Sequence, residues 1–151
     1  MEKIASFTVD HTRLLQGMYT SRIDGDITTY DIRMVKPNTP PYLENAGLHT
    51  FEHLFATYAR NGAYSSNVIY VGPMGCRTGF YLLVRDLPPA DAITLVRQSA
   101  AFIAAYIGEV PGASEAECGN YRDHDLAAAK KYARELSEVL KRWQPKDLNY
   151  R

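Results

Sequence analysis

The sequence predicts an α+β fold: one domain over residues 1–151, a two-layer sandwich with a mainly antiparallel sheet and helices packed on one face. Three observations lead there. Short runs rich in Ile, Thr, Tyr and Val alternate in polarity between Gly- and Pro-bearing turns, as strands do. Two of those runs are joined by Gly72-Pro73-Met74-Gly75-Cys76, a turn tight enough to make an antiparallel pair. A longer stretch near the end carries apolar residues at three- and four-residue spacing, the period of a helix with one buried face.

Taken in order, Phe7 and Val9 alternate with polar neighbours ahead of His11, so residues 1–20 are expected as an extended segment docked on the body. Asp24-Gly25-Asp26 is a turn. Ile27 to Val35 alternates and is a strand, ended by the stiff loop of Pro37, Pro40 and Pro41. Asn45 is the expected N-cap of a helix from Ala46 to Asn61, closed by Gly62. Asn67 to Val71 and Thr78 to Val84 are the strands of the hairpin. Pro88-Pro89 opens a helix that runs to Ile107, where Gly108 stops it. Pro111-Gly112 and Cys118-Gly119 fall in loops. A last helix is expected from Asp123 to Trp143, with Leu126, Ala129, Ala133, Leu136 and Leu140 on its buried face.

Composition narrows the function classes. Hydrophobic residues make up 46% of the chain, which argues for a folded core and against disorder. The 17 Lys and Arg balance the 17 Asp and Glu, with no long run of one sign. Phosphate binding needs a basic face, so nucleic acid and anionic membrane are not expected as partners. No apolar run approaches a membrane span, and Met1-Glu2-Lys3-Ile4 lacks the apolar core of a signal peptide, so a cytoplasmic protein is expected. Cys76 and Cys118 are too few for a disulfide framework, and thiols in a reducing compartment more often serve metals or chemistry.

The chemistry gathers at His49-Thr50-Phe51-Glu52-His53. Helix positions four apart share a face, so His49 and His53 present two imidazoles to one point, the geometry of two ligands on one metal ion. Glu52 projects beside them, within reach of whatever the metal holds. Two imidazoles alone hold a divalent ion poorly; a third protein ligand and an open fourth position make the usual catalytic arrangement. His11, His124, Cys76, Cys118 and several carboxylates remain as candidates, and spacing does not choose between the two cysteines. His124, at the expected start of the last helix, reads as a capping or packing residue.

Several blocks then resemble one family. His49-Thr50-Phe51-Glu52-His53-Leu54-Phe55-Ala56 and Pro73-Met74-Gly75-Cys76-Arg77-Thr78-Gly79-Phe80-Tyr81 look like the signatures of S-ribosylhomocysteine lyase, the LuxS family. Ser6-Phe7-Thr8-Val9-Asp10-His11-Thr12, Asp31-Ile32-Arg33 and Cys118-Gly119 match too, in the same order. The resemblance implies one divalent metal per subunit, ferrous iron in the cell with zinc or cobalt as replacements, held by His49, His53 and Cys118. It implies Glu52 and Cys76 as acid/base residues, and Ser6, His11, Arg33 and Arg60 as substrate-binding or site-supporting groups. It implies a homodimer with two sites at the subunit interface. The reaction implied cleaves the thioether of S-ribosylhomocysteine to homocysteine and 4,5-dihydroxy-2,3-pentanedione, the precursor of the autoinducer-2 signal, within the activated methyl cycle.

Those residue types suit that chemistry. The carbon–sulfur bond is unactivated until a ketone stands one carbon removed from the sulfur-bearing carbon, so the sugar carbonyl must migrate along the chain. Each shift removes a proton beside a carbonyl, and a Lewis-acid metal stabilises the charge that develops. A thiolate such as Cys76, helped by Arg33, can carry those protons, because positive charge favours the thiolate. Glu52 is then expected to take the proton whose loss expels homocysteine. One position departs from the family: Tyr70 stands where an aspartate is usual, near the homocysteine end of the substrate. A tyrosine cannot neutralise an ammonium, so a related thioether sugar is one alternative substrate. Two other readings compete: a His-x-x-Glu-His metalloprotease, and a closed structural metal site.

Overall fold

The computed structural model describes residues 1–151. Four strands, β1 (Gly17–Asp24), β2 (Ile27–Arg33), β3 (Val68–Pro73) and β4 (Gly79–Arg85), form one sheet in the order β1-β2-β4-β3, and every neighbouring pair is antiparallel. Three helices, α1 (Asn45–Asn61), α2 (Pro89–Ala104) and α3 (Leu126–Leu140), complete it. The expected α+β sandwich is therefore the observed one. Strand alternation sets its two faces. Tyr30 and Ile32 of β2 and Phe80, Leu82 and Val84 of β4 turn to the helices and are buried. There they meet Phe51, Leu54 and Phe55 of α1, Ile93, Leu95 and Val96 of α2, and Ala129, Ala133, Leu136 and Leu140 of α3. Asp31, Arg33, Tyr81 and Leu83, the alternate residues, point to the helix-free face.

The boundaries differ from the expected ones at several points. Residues 1–20 are not a docked extended segment. They begin with a 3-10 turn, Ala5–Phe7, and end in the first half of β1. Asn45 is already helical, and Glu44 is the N-cap of α1, without a side-chain bond. The second helix stops at Ala104 rather than Ile107. The last helix is shorter than Asp123–Trp143 at both ends. Asp125 caps it by accepting from the Ala128 N–H, and beyond Leu140 the chain turns so that Trp143 donates to the Met18 carbonyl.

Two features of this frame position the site. Helices α1 and α3 approach closely at Gly47, where a Cβ would lie 2.7 Å from Ala128 Cβ and from the Tyr132 ring. The long connection from α2 to α3, residues 105–125, then folds back over the flank of α1 that faces away from Phe80.

Candidate metal centre

His49 and His53 leave α1 on a side that its core residues Phe51 and Phe55 do not share, and the connection 105–125 meets them there. His49 Nδ1 lies 2.7 Å from the Asp123 carbonyl, and His53 Nδ1 lies 2.8 Å from the Pro111 carbonyl. A carbonyl only accepts, so both rings carry their proton on Nδ1 and present the Nε2 lone pair outward. Gly112 makes one of these contacts possible: its φ is +70°, and a Cβ there would press within 3.2 Å of His53 Nδ1.

Between the two Nε2 atoms sits Cys118 Sγ, 3.4 Å from His49 and 3.8 Å from His53. Donors placed tetrahedrally about 2.05 Å (nitrogen) and about 2.3 Å (sulfur) from a common ion stand roughly 3.6 Å apart. The observed separations bracket that figure, so these side chains fit one divalent ion. A thiolate with two imidazoles suits zinc or ferrous iron better than magnesium or calcium. Spacing left the two cysteines equal; the fold brings Cys118 to the histidines.

His124 joins them: it stood among the candidate ligands in the sequence but read there as a capping or packing residue. The potential ligand atoms of His49, His53, Cys118 and His124 all lie within 4.8 Å of one another. Its ring stacks on His49 with centroids 4.0 Å apart and meets His53 edge-on at 4.8 Å. Burial first, and then the two neighbouring imidazoles, push its pKa below the ordinary histidine value. The signal that could have found it is its place six residues after Cys118 and directly before the Asp125 cap. Glu52 lies on the same helix beside His53, half-buried, and makes no hydrogen bond or ion pair within the chain.

Arg33, Cys76 and Ser6 form a second group, on the helix-free face of the sheet; His11 and Arg60 belong to neither group. Arg33 is 3% exposed and pairs in two-pronged fashion with Asp31, Nη2 to Oδ2 at 2.7 Å and Nε to Oδ1 at 3.1 Å. Burial works against the guanidinium charge, yet the Asp31 hydrogen bonds and charge outweigh it and raise the Arg33 pKa. Arg33 Nη1 also donates to Thr78 Oγ1 at 2.8 Å, and Thr78 Oγ1 is 3.0 Å from Cys76 Sγ. Cys76 itself is exposed, with Arg33 Nη1 4.0 Å from its sulfur. Ser6 lines a shallow groove on this face with Tyr70 and Tyr81, and Tyr70 is half exposed there. His11 bonds only locally, through Nδ1 to the Val9 carbonyl. Arg60 lies two turns beyond His53 and ties α1 to the Ile69 carbonyl of β3. Within one chain, then, the hydrophobic core separates the imidazole–thiolate group from the Arg33–Cys76 group.

An α+β sandwich with imidazoles and a cysteine sulfur converging on one point, and an unpaired carboxylate beside them, defines a small protein with a candidate catalytic metal centre. The chain belongs to the LuxS family: the model of that family, described as S-ribosylhomocysteinase, matches residues 4–147. It is 49% identical over 156 aligned residues to an S-ribosylhomocysteine lyase of Clostridium acetobutylicum, with 99% of each chain covered. It is 49% identical to one of Phocaeicola vulgatus, covering 99% of this chain and 98% of that one. A Borreliella burgdorferi protein of the same description is 43% identical, with 99% of each covered. The metalloprotease reading loses its footing here, because the family model spans both the histidine and the cysteine blocks. No helix is long and apolar enough to cross a membrane.

Proposed function

We propose that the chain is an S-ribosylhomocysteine lyase that releases homocysteine and 4,5-dihydroxy-2,3-pentanedione, the autoinducer-2 precursor, as a cytoplasmic enzyme of one domain over residues 1–151. The observation that carries this reading is the convergence of two carbonyl-fixed imidazoles and Cys118, at tetrahedral spacing, in a chain of the LuxS family. His49, His53 and Cys118 are the ligands of one divalent metal, ferrous iron in the cell with zinc or cobalt as replacements. Such an ion supplies Lewis acidity beside the sugar carbonyl. Cys76 takes and returns the protons that move the carbonyl along the sugar, with the Arg33 guanidinium 4.0 Å from its sulfur. Glu52 removes the proton whose loss expels the homocysteine sulfur. Ser6, His11, Arg33 and Arg60 bind the substrate or support the site.

Both groups must reach one substrate, and in a single chain they face opposite sides of the core. That separation supports a homodimer in which the Arg33–Cys76 group of one subunit completes the metal group of the other. Free thiols at Cys76 and Cys118 suit the reducing cytoplasm.

The test is metal-loaded protein incubated with S-ribosylhomocysteine and a thiol reagent. Wild type should release one thiol per substrate, and Glu52→Ala should be slower by about 10²- to 10⁴-fold, the usual worth of a positioned acid/base group. No thiol above the Glu52→Ala background would sink the proposal.

A further inference from the structure

Resting on the metal-centre reading above, the hydrogen bonds of the three clustered histidines divide them into two kinds. His49 and His53 give their Nδ1 protons to carbonyls and keep Nε2 lone pairs for a metal. His124 has a different partner: its Nδ1 lies 2.9 Å from Thr50 Oγ1. Thr50 is fully buried, and its oxygen already accepts from the Asp125 N–H at 2.9 Å. The hydroxyl still has one proton to place. Thr94 and Ser99 turn theirs back to the carbonyl four residues earlier, Ala90 and Leu95. Thr50 makes no such bond; the Ala46 carbonyl shares the Asp125 N–H with Thr50 Oγ1. The acceptor left for the Thr50 hydroxyl is His124 Nδ1. The opposite arrangement, with Nδ1 donating, would bury a hydroxyl proton unpaired, at the full desolvation cost of that donor.

A ring that accepts at Nδ1 holds its proton on Nε2, so His124 is protonated there. That nitrogen is buried and has no partner in the protein. A protonated ring nitrogen has no lone pair, so it cannot ligate a metal; it can only donate. One ring nitrogen of His124 lies within 4.8 Å of the His49, His53 and Cys118 ligand atoms, and the one that Thr50 leaves free is Nε2. Stacking against His49 holds the ring in place.

We infer that His124 is not a fourth ligand but a fixed hydrogen-bond donor to the oxygen that occupies the coordination position left open by His49, His53 and Cys118. Three protein ligands and one open position distinguish a catalytic centre from a closed structural one. A donor fixed beforehand beside that position favours oxygen as it becomes negative, with no reorganisation at the moment of reaction. Thr50 takes part by setting the tautomer.

Two measurements test this. Long-range proton–nitrogen correlation spectra of the zinc-loaded wild type report which nitrogen of each imidazole is protonated. Nδ1 is expected for His49 and His53, and Nε2 for His124, assigned by its loss in His124→Gln. A metal-bound Nε2 on His124 overturns the inference. Second, cobalt-loaded protein is titrated with formate, a small oxygen anion for the open position. His124→Phe should keep one cobalt per chain with unchanged ligand-field bands, yet bind formate about tenfold more weakly, as loss of an outer partner typically does. His124→Gln, whose amide also donates, should recover most of that loss. Changed bands in His124→Phe, or equal formate affinity in all three proteins, would overturn the inference. Wild type that takes up no cobalt overturns the metal-centre reading and the inference with it; normal uptake with the opposite tautomer overturns the inference alone.

Discussion

The phenol of Tyr150 donates to Asp31 Oδ2 at 2.7 Å, the carboxylate that also holds Arg33, and its ring stacks on Tyr19. Burial first, and then the Asp31 charge and hydrogen bond, push the Tyr150 pKa far above the ordinary tyrosine value. Burial also raises Tyr19, Tyr30 and Tyr81. In each the folded-state value lies above the unfolded one of about 10. As pH climbs through that value the unfolded chain sheds phenol protons that the folded one keeps, so their stabilisation, complete below about pH 9, drains away above it. Melting temperature should fall between about pH 9 and about pH 11, more shallowly in Tyr150→Phe; identical slopes would refute the assignment. At this scale the sequence was legible where a residue repeats a spacing: His49 and His53 declared themselves by being four apart. Cys118 lies 65 residues beyond His53, so its role needed the fold or the family resemblance. His124 read as capping or packing because it stands where a cap is expected; Asp125 does the capping, and the His124 ring packs on His49.

Gly47 decides how near α3 comes to α1. In an isolated helix Gly47→Ala would add roughly 1 kcal/mol of stability. Here the new methyl would meet Ala128 and the Tyr132 ring at 2.7 Å, in a seam also crossed by the Thr50–His124 and Thr50–Asp125 bonds. We expect a net loss of about 1–3 kcal/mol in urea unfolding, together with weaker cobalt binding; an unchanged or raised midpoint would contradict the packing account. Elements with a clean period were readable in advance. Strand β2 and the β3–β4 hairpin follow from alternation, and α1 from its histidines and flanking apolar residues. Strand β1 was not, because the register shifts between Thr20 and Arg22 and breaks the alternation that would have announced it. The ends of α2 and α3 were overdrawn because Ala105-Tyr106-Ile107 and Lys141-Arg142-Trp143 contain no Gly or Pro to stop a helix, whereas beyond Leu140 the chain bends and Arg97 donates to the Leu140 and Trp143 carbonyls.

For the whole molecule, the separation of the two groups gives a prediction that a self-sufficient subunit would not. Cys76→Ala and His49→Ala proteins should each be inactive alone. If subunits exchange freely after mixing in equal amounts, half the dimers carry one of each, and one of their two sites is intact. Activity should then recover to about a quarter of wild type, measured as thiol release. No recovery, with exchange verified by mass spectrometry, would mean that each subunit carries its own complete site.

The connection 105–125 is tied to α1 by Pro111 at one end, Asp123 at the other and Cys118 in between. The outer two ties are hydrogen bonds present without metal; the middle one tightens only when an ion is bound. Chelation should therefore slacken the span from Gly112 to Arg122 while the sheet and helices stay intact, and limited proteolysis should cut there first, at a rate that added metal suppresses. A cell short of the metal would then find the loading of each molecule written in that span: copies that never acquired, or have lost, their ion would be the ones its proteases clear.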